Sequence, residues 1–210
     1  MTTSSTPQNS PTPFERRRLQ QREETQRAIL DATELLLVEA GYEGFSMRRL
    51  AARCGYTAPS IYHHFGDKQS LLDAVVEERF QLILERLRRV RRRRDPADTV
   101  RAMIGEFVTF GLENPDHYKL LDLPRPEGSP PPPSSERVRE LIQEALSELD
   151  RAGRLLSADV QEAEQFIWTM TTGLLRLQIA HAGGDWSPTL IDFTLDASLR
   201  GLVKPAGRAS

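Results

Sequence analysis

One cysteine, Cys54, stands in 210 residues. A single thiol excludes an intramolecular disulfide and any zinc site made of paired cysteines. Cys54 reads as a small buried hydrophobe. Histidine is also scarce: four in all, with His63 and His64 adjacent and no second cluster beside them. No metal site and no cofactor are therefore read. Long apolar runs are missing, and nothing approaches the roughly 20 residues that a membrane helix needs. The polar, proline-rich start, Met1 to Pro13, lacks the apolar core of a secretory signal, so the chain reads as cytoplasmic. There is no Gly-rich phosphate loop and no Gly-x-Ser-x-Gly elbow. The many Asp and Glu residues read as helix surfaces and caps; no catalytic residue is assigned and an enzyme is not expected. Strand alternation and hairpin signals are absent too, leaving an all-α fold class.

What is present is unevenly charged. The net charge is −2, yet residues 1–94 carry 17 Lys and Arg against 12 Asp and Glu, and residues 95–210 carry 11 against 18. A basic front and an acidic back fit a chain whose front alone meets a polyanion.

Helix signals then divide the chain. Residues 1–21 read as a disordered N-terminal arm ending in Arg16-Arg17-Arg18, either a basic strand for a minor groove or a solvated tail. From Arg22 a helix pattern begins, with Ile29, Ala32, Thr33, Leu36 and Leu37 on one face and a stop at Ala40-Gly41. Ser46 caps a short helix bearing Leu50 and Ala51. Gly55 permits a sharp turn, and Thr57 caps the next helix with Pro59 in its first turn. Asp67 caps a long helix through Leu71, Val75, Phe80, Ile83 and Leu87 into the run Arg88 to Arg94, read as its solvated, cation-rich end. Asp95-Pro96 and Asn114-Pro115 each pair a cap with proline at the first helical position, predicting helices to about Leu112 and Leu121. Leu123 to Ser134, with Pro130 to Pro133, reads as a loop or polyproline segment. Ser135, Ser157 and Ser187-Pro188 open three more helices, to about Gly153, Gly183 and Val203. About nine helices result, with residues 22–82 as a first domain, 83–203 as a second, and 204–210 as a tail.

Residues 46–65, a short helix, a glycine turn and a second short helix, have the geometry that presents a helix end to the major groove of DNA. Thr57, Ala58 and Ser60 lie at the positive N-terminal end of the second helix, suited to phosphate and base-edge contact. Ala58 can pack on a thymine methyl. Tyr62 and His63 can hydrogen-bond phosphates, and Ser46 and Arg48 can hold the flanking strand. Tyr62 can instead be a packed aromatic. Phe65 reads as core against Leu50 and Ile61, and of the two histidines one is expected on DNA and the other in a structural hydrogen bond.

Three stretches together, Ala28-Ile29-Leu30-Asp31-Ala32, Glu39-Ala40-Gly41-Tyr42-Glu43-Gly44-Phe45-Ser46 and Ile61-Tyr62-His63-His64-Phe65-Gly66-Asp67-Lys68-Gln69-Ser70-Leu71-Leu72, resemble the N-terminal domain of the TetR (tetracycline-repressor-like) family over roughly residues 22–82. The resemblance implies an all-helical regulator that binds double-stranded, pseudo-palindromic operator DNA as a homodimer. Its third helix, here about Ala58 to His64, would enter the major groove. Tyr62 and Lys68 match positions that touch the DNA backbone, and the region of the arginine run points away from DNA. Ligand binding in the back domain would separate the two DNA-binding domains. The implied function is a repressor released by a small effector; an activator or a ligand-independent regulator of the same fold is the alternative. Phe107 to Leu123 is similar to one C-terminal type in the family, with a Trp and a later His-Gly pair: Trp168 and Gly173-Leu174 match, but Thr172 stands where the His would be.

In the back half, Met103, Phe107, Phe110, Tyr118, Phe166, Met170 and Leu174 are candidate pocket walls, with His117, Thr169 and Arg176 as polar anchors. That mix suits a mostly apolar effector, aromatic or acyl. The last two helices are expected to pair with their copies, using Leu175, Ile179, Leu190, Phe193, Leu195 and Leu199, since a two-fold operator needs two recognition helices.

Overall fold

The computed structural model describes residues 12–122, 127–157 and 159–205, and these contain nine α-helices. They are α1 (Pro13–Gly44), α2 (Met47–Cys54), α3 (Ala58–Phe65), α4 (Lys68–Arg88), α5 (Pro96–Glu113), α6 (Pro115–Leu121), α7 (Pro133–Arg151), α8 (Val160–Ala180) and α9 (Leu190–Leu202). Among the described residues the one β-bridge joins Leu155 to Val203. No helix among the described residues is long and apolar enough to cross a membrane. The chain divides into two compact units after Val75, within α4.

The first unit holds α1, α2, α3 and the start of α4. Ile29, Leu37, Leu50, Ile61, Leu71 and Val75 are fully buried and form its core. Arg53 clasps Glu39 through two bonds of 2.6 and 2.8 Å, tying α2 to α1, and this fork holds the Glu39 carboxyl below the usual carboxylate range. α1 is not an arm followed by a helix at Arg22. It is helical from Pro13, because Thr12 and Glu15 form a reciprocal capping box and proline occupies the first turn. Arg16, Arg17 and Arg18 are therefore helical and exposed. Residues 1–11 of the expected arm and 206–210 of the expected tail lie outside the described residues. Gly41, at φ 65, breaks α1 at the expected stop.

In the second unit α5 packs against α7, α8, α9 and α6. Ile104, Leu120, Leu146, Leu149 and Leu175 are buried at its centre. Several helix ends differ from the sequence reading. α4 stops at Arg88, so the arginine run is not its solvated end: residues 91–93 have no regular secondary structure, and the Arg92 guanidinium meets Glu144 and Glu148, both at 3.1 Å. Asn114 makes no side-chain cap for α6; its Nδ2 donates back to the Phe110 carbonyl at 3.0 Å and closes α5 instead. α7 opens at Pro133, before Ser135, and its cap is remote: Glu77 of α4 accepts from the Ser134 amide at 3.0 Å and from the Ser134 hydroxyl at 2.5 Å. A carboxylate there meets the positive helix end and the amides that Pro132 cannot satisfy. Asp159, rather than Ser157, caps α8, accepting from the Glu162 amide at 2.7 Å. α9 begins at Leu190, after Ser187-Pro188.

Candidate nucleic-acid interface

α2 and α3 each open on a hydroxyl. Ser46 Oγ accepts from the Arg49 amide at 3.2 Å and Thr57 Oγ1 from the Ser60 amide at 3.3 Å. Both side chains thus fix helix starts while each keeps a hydrogen to donate outward. Between the helices Gly55 sits at φ 73, a left-handed conformation that a side chain would strain, and closes α2 on the Ala51 carbonyl at 3.1 Å. The turn aims one face of α3 away from the domain core. Ile61 points inward and is fully buried, while Pro59, Tyr62 and His63 are exposed, Tyr62 at 41%. Tyr62 is therefore not a packed aromatic. Ala58 and Ser60 flank that face half-buried, and Arg48 on α2 is exposed. Phe65 is half-buried rather than core, because it lies in the last turn of α3.

Lys68 is not simply a free cation. Its Nζ donates to the Phe45 carbonyl at 3.3 Å and lies 5.4 Å from the Phe45 ring. The lysine thereby pins the start of α4 to the α1–α2 junction, and an ammonium with three donors still has hydrogens to offer a phosphate. Asp67 caps the same helix, accepting from the Ser70 amide at 2.7 Å, which holds its carboxyl below the usual range.

The two histidines part company as expected of neighbours on a helix. His63 is exposed; His64 is half-buried, and its Nδ1 is enclosed without a hydrogen-bond partner. Burial first, and then the charges of His63 and Arg22, hold the His64 pKa below its ordinary 6.5. The sequence reading missed what lies beside them. Arg18 and Arg22 of α1 line one open groove of about 610 Å³ with His63 and His64. The signal was available in Thr12-Pro13-x-Glu15, a helix start hidden in a proline-rich segment.

In the second unit the expected pocket walls are mostly packed interior. Met103, Phe110 and Tyr118 are buried, and burial pushes the Tyr118 phenol up to about 12. His117 is half-buried beside the Phe110 ring. Phe166 and Thr169 face outward, because α8 turns Ala163, Ile167, Thr171 and Leu175 to the core. Met170 and Leu174 lie half-buried on the flanks of that stripe. Arg176 is exposed and paired with Asp122 of the α6 end. The interior cavity found between α5, α7 and α8 is about 10 Å³ and includes only Phe107 from the expected set, together with Ile104, Ile142, Ile167 and Trp168. That is about the room one water needs. Beside it the buried Glu164 carboxylate accepts from Arg139 Nε at 2.7 Å and Gln143 Nε2 at 2.5 Å. Of the expected pairing residues, Leu175 and Leu195 are buried within the chain and cannot supply a contact surface. Phe193 is 63% exposed, and Ile179, Leu190 and Leu199 are half-buried. Among the described residues no cluster of three or more His, Cys, Asp or Glu could hold a metal.

Residues 29–75 match the family model described as bacterial regulatory proteins, tetR family. The fold is also that of several solved structures. A TetR family transcription regulator from Marinobacter aquaeolei VT8 aligns with a TM-score of 0.74 at 17% identity, over 88% of this chain and 99% of that one. TetR family transcriptional regulators from Thermus thermophilus (TM-score 0.67, 21% identity, 82% and 97% covered) and Haemophilus influenzae Rd (0.66, 18%, 88% and 100%) are similar in the same way.

Proposed function

We propose that the chain, whose residues 29–75 match the model of the tetR family of bacterial regulatory proteins, is a DNA-binding transcription regulator that acts as a homodimeric repressor. Each copy lays α3 into the major groove of one half of a pseudo-palindromic operator. The observation that carries this reading is the outward face of α3: Tyr62 and His63 stand exposed beside the fully buried Ile61, on a helix whose start is fixed by Thr57 and aimed by Gly55. Thr57, Ala58 and Ser60 present the helix end, Ser46 and Arg48 the neighbouring strand contact, and Lys68 a phosphate contact from α4. Tyr62→Ala is the cleaner test, since Lys68 also braces the fold. In a gel-shift titration with DNA flanking its own gene, Tyr62→Ala should weaken binding about tenfold with circular dichroism unchanged, the scale of one lost charge-assisted contact. Unchanged affinity would overturn the reading.

Release from the operator requires an effector that binds the DNA-incompetent arrangement better than the competent one. A small, mostly apolar compound suits the Phe107–Trp168 pair, with ring centroids 5.8 Å apart, at the wall of the second unit's interior cavity. The tightness of that cavity favours a second reading, regulation without a ligand. The two separate on whether any apolar compound shifts the operator titration.

A further inference from the structure

The arginine run between α4 and α5 is held in a particular way. Arg92 turns toward α7 and is neutralised by Glu144 and Glu148. Its neighbours Arg91 and Arg93 instead line, with Arg89, an open cleft of about 590 Å³. The Arg93 amide donates to Thr99 Oγ1 at 2.8 Å, so the segment is anchored to the first turn of α5 as well as to α7. The cleft's acids are already committed: Glu106 to Arg86, and Asp192 to Arg101 at 2.9 Å. Arg89 has only a long 3.7 Å approach to Glu85, with both side chains exposed. Among the described residues the Arg91 and Arg93 guanidinium groups have no acidic partner. Holding like charges side by side is unfavourable unless an anion lies between them. On the α9 side Ile191 is half-buried beside Asp192, with the buried Leu195 behind it, and small side chains at Ala102 and Gly105 keep the floor low.

We propose that this cleft binds a small amphipathic phosphate ester, its phosphates forked by Arg91 and Arg93 and its apolar portion against Ile191. Guanidinium forks match phosphate oxygens in pairs, which a point charge does not. A nucleic-acid backbone fits less well, because the arginines form an island: residues 95–210 are net acidic, and Glu85, Asp192 and Asp196 lie around the cleft or beside it. This site goes beyond the operator reading and does not depend on it.

The test is calorimetric titration of the full chain with geranyl diphosphate, inorganic pyrophosphate and geraniol, in the absence of DNA. Geranyl diphosphate should saturate one site per chain, with pyrophosphate weaker by about tenfold and geraniol not saturating. Arg91→Ala with Arg93→Ala should weaken geranyl diphosphate by about tenfold or more, the loss of two forked contacts. Arg16→Ala with Arg17→Ala and Arg18→Ala, which removes the exposed cations of α1, should leave that binding unchanged. Both variants alter exposed side chains, and an unchanged melting temperature checks that they fold. No saturable binding at millimolar concentration, or binding that survives Arg91→Ala with Arg93→Ala, overturns the proposal. So does displacement of the ligand by random duplex DNA from the protein carrying the triple α1 substitution, which would make the cleft a nucleic-acid contact.

Discussion

At the scale of single residues the most exposed vulnerability of the first unit is His64. Its enclosed Nδ1 has no partner, and the groove it shares with α1 presents Arg18 and Arg22 beside His63, with Glu15 as the acid on that wall. The folded chain therefore favours the neutral ring and its pKa is lowered. Below about 6.5 the unfolded chain takes up more protons than the folded one, so stability rises with pH across that window. The contribution is complete above the unfolded value and is lost as pH falls through the folded one. Thermal unfolding should show a midpoint lower at pH 5.5 than at pH 7.5, by an amount on the order of a few °C. In His64→Phe the difference should shrink. An equal drop in the variant would assign the acid sensitivity to other groups, of which Asp67 titrates well below this range.

At the scale of elements, α5 passes close to α8 at Gly111. A Cβ on Gly111 would lie 2.8 and 2.9 Å from the Leu175 methyl carbons and 3.3 Å from the Tyr118 ring. Leu175 is fully buried, so it has nowhere to move. Gly111→Ala gains about 0.5–1 kcal/mol in helix preference. Against this stands overpacking of about 1–3 kcal/mol. The net should be destabilising, seen as a lower urea midpoint with an unchanged slope; a midpoint equal to or above wild type would show that the helices separate freely. The same scale explains what was legible in the sequence. Ser46, Thr57 and Asp95-Pro96 act on amides two or three residues away, Gly55 donates to the Ala51 carbonyl four residues back, and each marks an element correctly. The exposed face of α3 follows from the same local signals. The start of α7 was not legible, since its cap, Glu77, lies on another helix. Nor was the outward turn of Phe166: an apolar residue on a helix has the same spacing whether it lines a cavity, fills a core or faces another copy.

For the whole molecule the question is what covers the apolar side chains that α8 and α9 leave outside. Leu177 and Phe193 are 55% and 63% exposed, and Phe166 and Trp168 are each at 43%. Three of these lie on α8 and one on α9; such groups are what a partner surface would cover, and the proposed operator symmetry would supply the partner, a second copy. Gly173, on the outer side of α8, meets nothing within 4 Å of an added Cβ, so the helix surface there is open to close approach. The interface would thus draw on Phe193, as the sequence reading expects, and on Leu177 and Phe166 in place of Leu175 and Leu195. Because Leu177 and Phe193 contribute little to the core, Leu177→Glu with Phe193→Glu should keep the helical content of the wild type. Two carboxylates buried against their own copies cannot be compensated, so light scattering should report the mass of one chain for the variant and of two for the wild type. Operator affinity should fall together with the mass, since one recognition helix then binds without its twin. A variant that stays at the wild-type mass would move the pairing surface elsewhere.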